Sequence, residues 1–183
     1  MSTFLYLKSL LKDKNVASIT PSSSFTVRKA TRKINFENDI VIVEFGPGTG
    51  VFSEYLLKKM TPNSKLIMIE LNPDFAQLLS QIQDDRVSVY QDSAAAIDEI
   101  LSNENLTQAD YILSGIPFSF LDDSIKNQIL SKSAVYLKSG GHFLAYQTSS
   151  HLKQPLEKHF KSGSTSFEWR NLPPMCIYEA TNG

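Results

Sequence analysis

One seven-residue stretch, Glu44-Phe45-Gly46-Pro47-Gly48-Thr49-Gly50, restricts this chain more than any other. It follows the apolar run Ile40-Val41-Ile42-Val43 and precedes a pattern of helical period. Glycines at such a junction let the backbone turn sharply and approach a ligand closely. A second apolar run ends at Glu70, about twenty residues on, where a carboxylate can accept hydrogen bonds from ribose hydroxyls. The order strand, glycine loop, helix, strand, acid points to an adenosine-type cofactor.

The same alternation continues along the chain. Strands are expected at 40–44, 65–70, 86–91, 109–114 and 141–147, with helices near 51–60, 73–83, 93–102 and 122–137. Gly140-Gly141 is expected to follow the end of the last of these helices. Strands alternating with helices imply right-handed crossovers and a mostly parallel sheet. A helix at 151–160 comes next, then two strand-like pieces at 164–169 and 175–181. The pieces are joined by Arg170-Asn171-Leu172-Pro173-Pro174 and read as a closing hairpin. The expected fold is α/β and Rossmann-like: a mostly parallel seven-stranded sheet with a C-terminal β-hairpin and helices on both faces. One domain is expected over 1–183, with 1–33 a basic helical arm and 34–183 the core.

In such a sheet, ligands bind beyond the carboxyl ends of the strands. Gly46, Gly48 and Gly50 follow the first strand, Glu70 ends the second, and Asp92 follows the third with Ser93 beside it. Ser114-Gly115-Ile116-Pro117-Phe118 follows the fourth, and Tyr146-Gln147-Thr148 ends the fifth. The glycine loop lacks the Lys-Ser/Thr ending of a P-loop, which disfavours nucleotide triphosphate hydrolysis. Glu44 would repel a pyrophosphate but suits a cofactor bearing an amino group and a sulfonium. Glu70 would accept from the ribose hydroxyls, Leu71 would cover one adenine face, and Asp92 would accept from the exocyclic amine. These are the requirements of S-adenosylmethionine.

With these motifs the chain resembles the class I S-adenosylmethionine-dependent methyltransferases. Pro21-Ser22-Ser23-Ser24-Phe25, Ser114–Phe118, Tyr146-Gln147-Thr148 and Asn171-Leu172-Pro173-Pro174 resemble, more narrowly, bacterial phospholipid N-methyltransferases, over about residues 15–181. Ser24 stands where that family often carries arginine. The resemblance implies methylation of phosphatidylethanolamine towards phosphatidylcholine. It implies cofactor contacts from Glu44, Gly46, Gly48, Gly50, Glu70, Leu71, Asp92, Ser93 and Ser114. Substrate contacts are expected from Gly115, Ile116, Pro117, Phe118, Tyr146 and Asn171.

Methyl transfer from a sulfonium is an in-line displacement, so the enzyme mainly supplies alignment and a dry site. An amine acceptor must lose a proton, and Tyr146 and His151 are the candidate bases. His142 begins its strand and should be distant. The rival reading is a ribosomal RNA adenine dimethylase. Those enzymes carry Asn-Leu-Pro-Tyr or a close variant after the fourth strand, where the Asn side chain holds the adenine amine. The matching tetrad here is Gly115-Ile116-Pro117-Phe118, which has no such side chain, although Phe118 retains a stacking ring. A basic C-terminal domain to grip RNA is not expected after the sheet. A further alternative is a non-catalytic S-adenosylmethionine-binding adaptor.

Charge placement bears on the partner. Residues 1–33 hold seven basic side chains and one acid, whereas the rest holds 11 basic and 18 acidic residues. Phe4, Leu7 and Leu11, flanked by Lys8 and Lys12, read as a short amphipathic helix over 4–12. A basic amphipathic arm over 4–33 suits an anionic membrane surface. No stretch is long and apolar enough to span a membrane, and a secretory signal is not expected. The single cysteine, Cys176, excludes an intramolecular disulfide, and no spacing resembles a metal site. The expected location is cytoplasmic, peripheral at the inner membrane surface.

Overall fold

The computed structural model describes residues 23–182. The amphipathic helix expected over 4–12, Pro21 and Ser22 lie outside the described residues. The first described helix, α1, is Ser24–Ala30, and Ser23 caps it by accepting a hydrogen bond from the Thr26 N–H. The alternating series follows as β1 Val41–Phe45, α2 Val51–Leu57, β2 Lys65–Ile69, α3 Pro73–Leu79 and β3 Val87–Tyr90. A 3-10 turn at Ala94–Ala96 leads into α4, Ile97–Asn103. Then come β4 Ala109–Ser114, α5 Asp123–Tyr136, β5 Leu137–Gln147, α6 Lys153–His159, β6 Ser162–Glu168 and β7 Met175–Thr181.

The strands form one seven-stranded sheet in the order β3-β2-β1-β4-β5-β7-β6. Strands β1 to β5 pair in parallel, while β7 runs antiparallel between β5 and β6. The expected α/β sheet with its closing hairpin is present. Strand order reverses between β1 and β4, which opens a crevice at their carboxyl ends.

Alternation along each strand divides the core in two. Ile42, Leu66, Met68, Leu113 and Leu144 pack with Val27 of α1, Phe52 and Leu56 of α2, and Leu79 of α3. Val43, Ile67, Ile112 and Phe143 pack on the other face with Ile97 and Leu101 of α4, Leu130 of α5 and Leu156 of α6. Val27 and Ala30 of α1 are buried, and Arg32 pairs with Glu179 of β7 at 2.6 Å, so α1 packs on the sheet.

Strand β5 also starts earlier than expected, directly from α5. Leu137 pairs with Ala109 and His142 with Tyr111, so the intervening residues bulge out of register. Gly140 and Gly141 sit in that bulge rather than stopping the helix, because α5 already ends at Tyr136.

Candidate active site

The glycine loop is fixed from both sides. Gly46 donates its N–H to the Ile69 carbonyl at 2.9 Å, and Gly50 donates to Pro47 at 3.0 Å. Gly46, Gly48 and Gly50 all take positive φ, at 61°, 57° and 83°, so the turn is available only to residues without a Cβ penalty. Nothing lies within 4 Å of where a Gly48 Cβ would stand. The loop therefore presents bare backbone to open space at the crevice.

Glu70 ties this loop to the end of β2. One carboxylate oxygen accepts the Gly48 N–H at 3.0 Å, and the other accepts the Asn72 N–H at 2.8 Å. Burial pushes its carboxyl above the usual range, while the N–H groups of Asn72, Gly48 and Leu71 oppose that shift. The carboxylate keeps acceptor capacity for a hydroxyl donor. Asn72 also caps α3 through the Asp74 and Phe75 N–H groups, which holds this corner rigid. Leu71 beside it is exposed.

Glu44 sits at the centre of the site and is fully buried. It shares the sheet face of Ile42, so it points towards α2, where the Ser53 hydroxyl donates to its Oε2 at 2.7 Å. Its Oε1 is buried without a hydrogen-bond partner. Burial is the main cause that pushes this carboxyl up to about 7; the Ser53 bond opposes it and the Glu70 charge adds to it. A buried, half-satisfied carboxylate costs roughly 1–3 kcal/mol unless a donor or cation meets it. The sequence could place Glu44 beside the loop, but the Ser53 contact depends on how α2 leaves Gly50.

Tyr146 of β5 lies on the same face. Its ring stacks on Phe52 with centroids 4.0 Å apart and planes 13° from parallel. A Cβ added to Gly115 would fall 2.5 Å from the Tyr146 hydroxyl and 2.9 Å from the Gly46 carbonyl. The hydroxyl therefore fills the space that a side chain at 115 would need. Burial, with the charges of Glu44 and Glu70, pushes the phenol well above its ordinary value. That direction favours the protonated phenol, which can give and take hydrogen bonds.

The acceptor loop after β4 departs further from expectation. Phe118 is buried, packs edge-on against Phe143, and donates its N–H to Gln147 Oε1 at 3.1 Å. It anchors the loop and is closed to a substrate ring. Phe120, two residues on, is the exposed aromatic of this loop. Ile116 and Pro117 are half-buried, and Ile116 approaches Gly46. Asn171 is turned inward: its Oδ1 accepts from the Ser23 N–H and the Thr26 hydroxyl, and its Nδ2 donates to the Pro173 carbonyl. Its amide is committed inside the protein, clamping the hairpin loop to α1.

The remaining expected residues lie at strand ends. Ser114 is buried beside Phe45 in register, and its hydroxyl accepts the Ile116 N–H at 3.3 Å. Asp92 is exposed and accepts the Ser93 N–H at 2.6 Å, while Ser93 caps the 3-10 turn. His151 is exposed in the turn after β5, with its N–H donated to Ser149. Among the described residues no helix is long and apolar enough to cross a membrane.

The donor set fits S-adenosylmethionine. The orphaned Glu44 oxygen calls for a cationic or N–H partner, Glu70 offers two oxygens for a diol, and Gly48 leaves room against backbone. A nucleotide with a pyrophosphate would bring anions against Glu44, which is unfavourable in a buried site.

Comparison with known proteins agrees with the fold and the cofactor. Residues 22–130 match the family model described as ribosomal RNA adenine dimethylase. An ornithine lipid N-methyltransferase of Singulisphaera acidiphila is 30% identical over 179 residues, covering 96% of this chain and 93% of that protein. A ribosomal RNA small subunit methyltransferase A of Hydrogenobaculum sp. is 25% identical over 122 residues, covering 67% of this chain and 41% of that one. Among solved structures, magnesium protoporphyrin IX methyltransferase of Synechocystis, with S-adenosylmethionine bound, superposes with a TM-score of 0.73 at 9% identity, covering 100% of this chain and 98% of that one. This last likeness is one of fold.

Proposed function

Since the chain belongs to the ribosomal RNA adenine dimethylase family of S-adenosylmethionine-dependent methyltransferases, we propose that its acceptor is the amine of a lipid headgroup, of the phosphatidylethanolamine kind. The observation that carries this reading is the closure of position 115. An asparagine there would hold an adenine amine, and Gly115 has neither the side chain nor the room for one against Tyr146. A small amine, free of a planar base, is the acceptor such a site suits. The similarity to an ornithine lipid N-methyltransferase along nearly the whole of both chains supports the same reading.

S-adenosylmethionine, when bound, supplies an electrophilic methyl group on a sulfonium. Glu44 stabilises positive charge from within the core, and its ionised form is the one a bound cation favours. Glu70 and Leu71 would hold the adenosine moiety, Asp92 and Ser93 would meet its base, and Ser114 sets the strand end. Tyr146 accepts a hydrogen bond from the acceptor N–H, so the nitrogen lone pair faces the donor. Loss of the amine proton is left to water, because Tyr146 stays a phenol and His151 lies in an exposed turn.

The family model itself favours a second reading, methylation of an adenine N6 in RNA. One experiment separates the readings. Purified protein is incubated with methyl-labelled donor and, separately, with detergent-dispersed phosphatidylethanolamine, an ornithine lipid and ribosomal RNA. Label in an aminolipid is expected. Label in RNA alone overturns the lipid reading, and cofactor binding without any turnover supports the adaptor.

A further inference from the structure

The hairpin that closes the sheet carries an unusual surface. Trp169 is 73% exposed and Leu172 is 80% exposed. Phe167 stacks on Trp169 with centroids 5.6 Å apart. On α1, Phe25 is exposed, and the Arg170 guanidinium lies 4.1 Å above its ring. Large apolar side chains clustered in this way on a surface mark a place where something docks.

Three contacts make the hairpin loop and α1 one unit. Asn171 binds Ser23 and Thr26, Lys29 donates to the Phe167 carbonyl, and Arg170 covers Phe25. Two cations flank the apolar cluster: Lys29, which donates to the Phe167 carbonyl, and Arg170, which lies over the Phe25 ring. In the loop, the one acid, Glu168, is buried and neutralised by Arg170 at 2.7 Å. An indole and a leucine beside a lysine and an arginine match the headgroup region of an anionic bilayer, where aromatic rings sit at the interface and cations meet phosphate.

Topology gives this surface its direction. Gln147, at the end of β5, stands opposite Cys176, at the start of β7. The loop before β7 therefore lies at the same edge of the sheet as Tyr146, Gly115 and the glycine loop. We infer that Phe25, Trp169 and Leu172, with their cationic neighbours, form the membrane-docking face that brings the open crevice down onto lipid headgroups. The inference rests on the lipid-acceptor reading and adds the surface that delivers the acceptor. It differs from docking through an amphipathic segment before α1, because it places the contact on the folded body.

Trp169 is the only tryptophan, so its emission reports this surface alone. The test uses the full chain with vesicles of phosphatidylethanolamine and phosphatidylglycerol, against vesicles of phosphatidylcholine. A blue shift of Trp169 emission on the anionic vesicles is expected. The double variant Trp169→Ser, Leu172→Ser should lose about tenfold in cosedimentation with them, with an unchanged melting temperature and unchanged turnover on detergent-dispersed lipid. Cosedimentation without an emission shift, or no vesicle binding at all, would overturn the docking face. A shift that follows protein concentration without vesicles would overturn it in favour of a second copy of the chain. If the shift persists while no aminolipid is labelled in detergent, the docking face stands and the acceptor reading falls.

Discussion

The backbone at Gly115 and the hydroxyl of Tyr146 are in mutual exclusion: a Cβ on one would stand 2.5 Å from the other. Gly115→Ala is therefore expected to destabilise the fold by roughly 1–3 kcal/mol through overpacking. Adding Tyr146→Phe should recover part of that loss, since the Gly46 carbonyl 2.9 Å away still opposes the new methyl group. Denaturant titration of the single and double variants measures both effects. An unchanged midpoint in Gly115→Ala would refute the close approach.

Tyr146→Phe alone keeps the stack on Phe52, which is worth about 0.5–1.5 kcal/mol, and removes only the hydroxyl. Calorimetry should find cofactor affinity unchanged. Steady-state kinetics should show a lower kcat, or a higher KM for the amine, with the same profile against pH. A shift in the pH optimum would instead point to Tyr146 as a base.

Glu70→Gln retains the volume but replaces one acceptor oxygen with an NH2 that faces a backbone N–H. Cofactor affinity should fall at least tenfold, in keeping with the 1.5–3 kcal/mol typical of hydrogen bonds to a charged group. A titration with native affinity would remove Glu70 from the ribose site.

Glu44 makes the cofactor-free protein sensitive to pH. Its folded carboxyl is raised from 4.5 to about 7. Between those values the unfolded chain has released the proton and the folded chain has kept it. Stability is thus fully present below pH 4.5 and declines as pH rises through about 7, by about 3 kcal/mol at most. Glu70, also raised, adds a change of the same sign. Thermal melts from pH 5 to 8 should show the decline in the wild type and a flatter curve in Glu44→Gln. The bound cation favours the ionised carboxylate, so cofactor affinity should rise over the same interval.

Phe118 and Phe120 should separate anchoring from contact. Phe118→Ala empties a core position and is expected to cost about 3–5 kcal/mol. Phe120→Ala changes an exposed side chain, so stability should stay within about 0.5 kcal/mol while KM for the amine rises. Equal loss of stability in both variants would erase the distinction.

The sequence made the cofactor side of this site readable because backbone chemistry dictates it. A loop with three positive φ values needs glycine wherever it occurs, and an acid at the next strand end has one geometric place to reach. The acceptor side follows from packing, which spacing does not encode. Phe118 reads as an aromatic at a motif position, yet whether it faces the crevice or the core depends on how Gln147 takes its N–H. Asn171 reads as a polar loop residue, and only the meeting of the hairpin loop with α1 reveals that its amide is already committed. The α1 helix reads as part of a basic arm because its charges stand out in sequence, while Val27 and Ala30, which decide where it packs, do not.

The sheet separates two sets of site residues. Glu44, Ser53, Phe52 and Tyr146 belong to the face covered by α1, α2 and α3, whereas Phe118 roots the acceptor loop in the opposite core with Phe143. Substitutions in the second core can shift the Ile116–Phe120 loop while Glu44 and Ser53 stay in place, so the two groups of residues are separately adjustable.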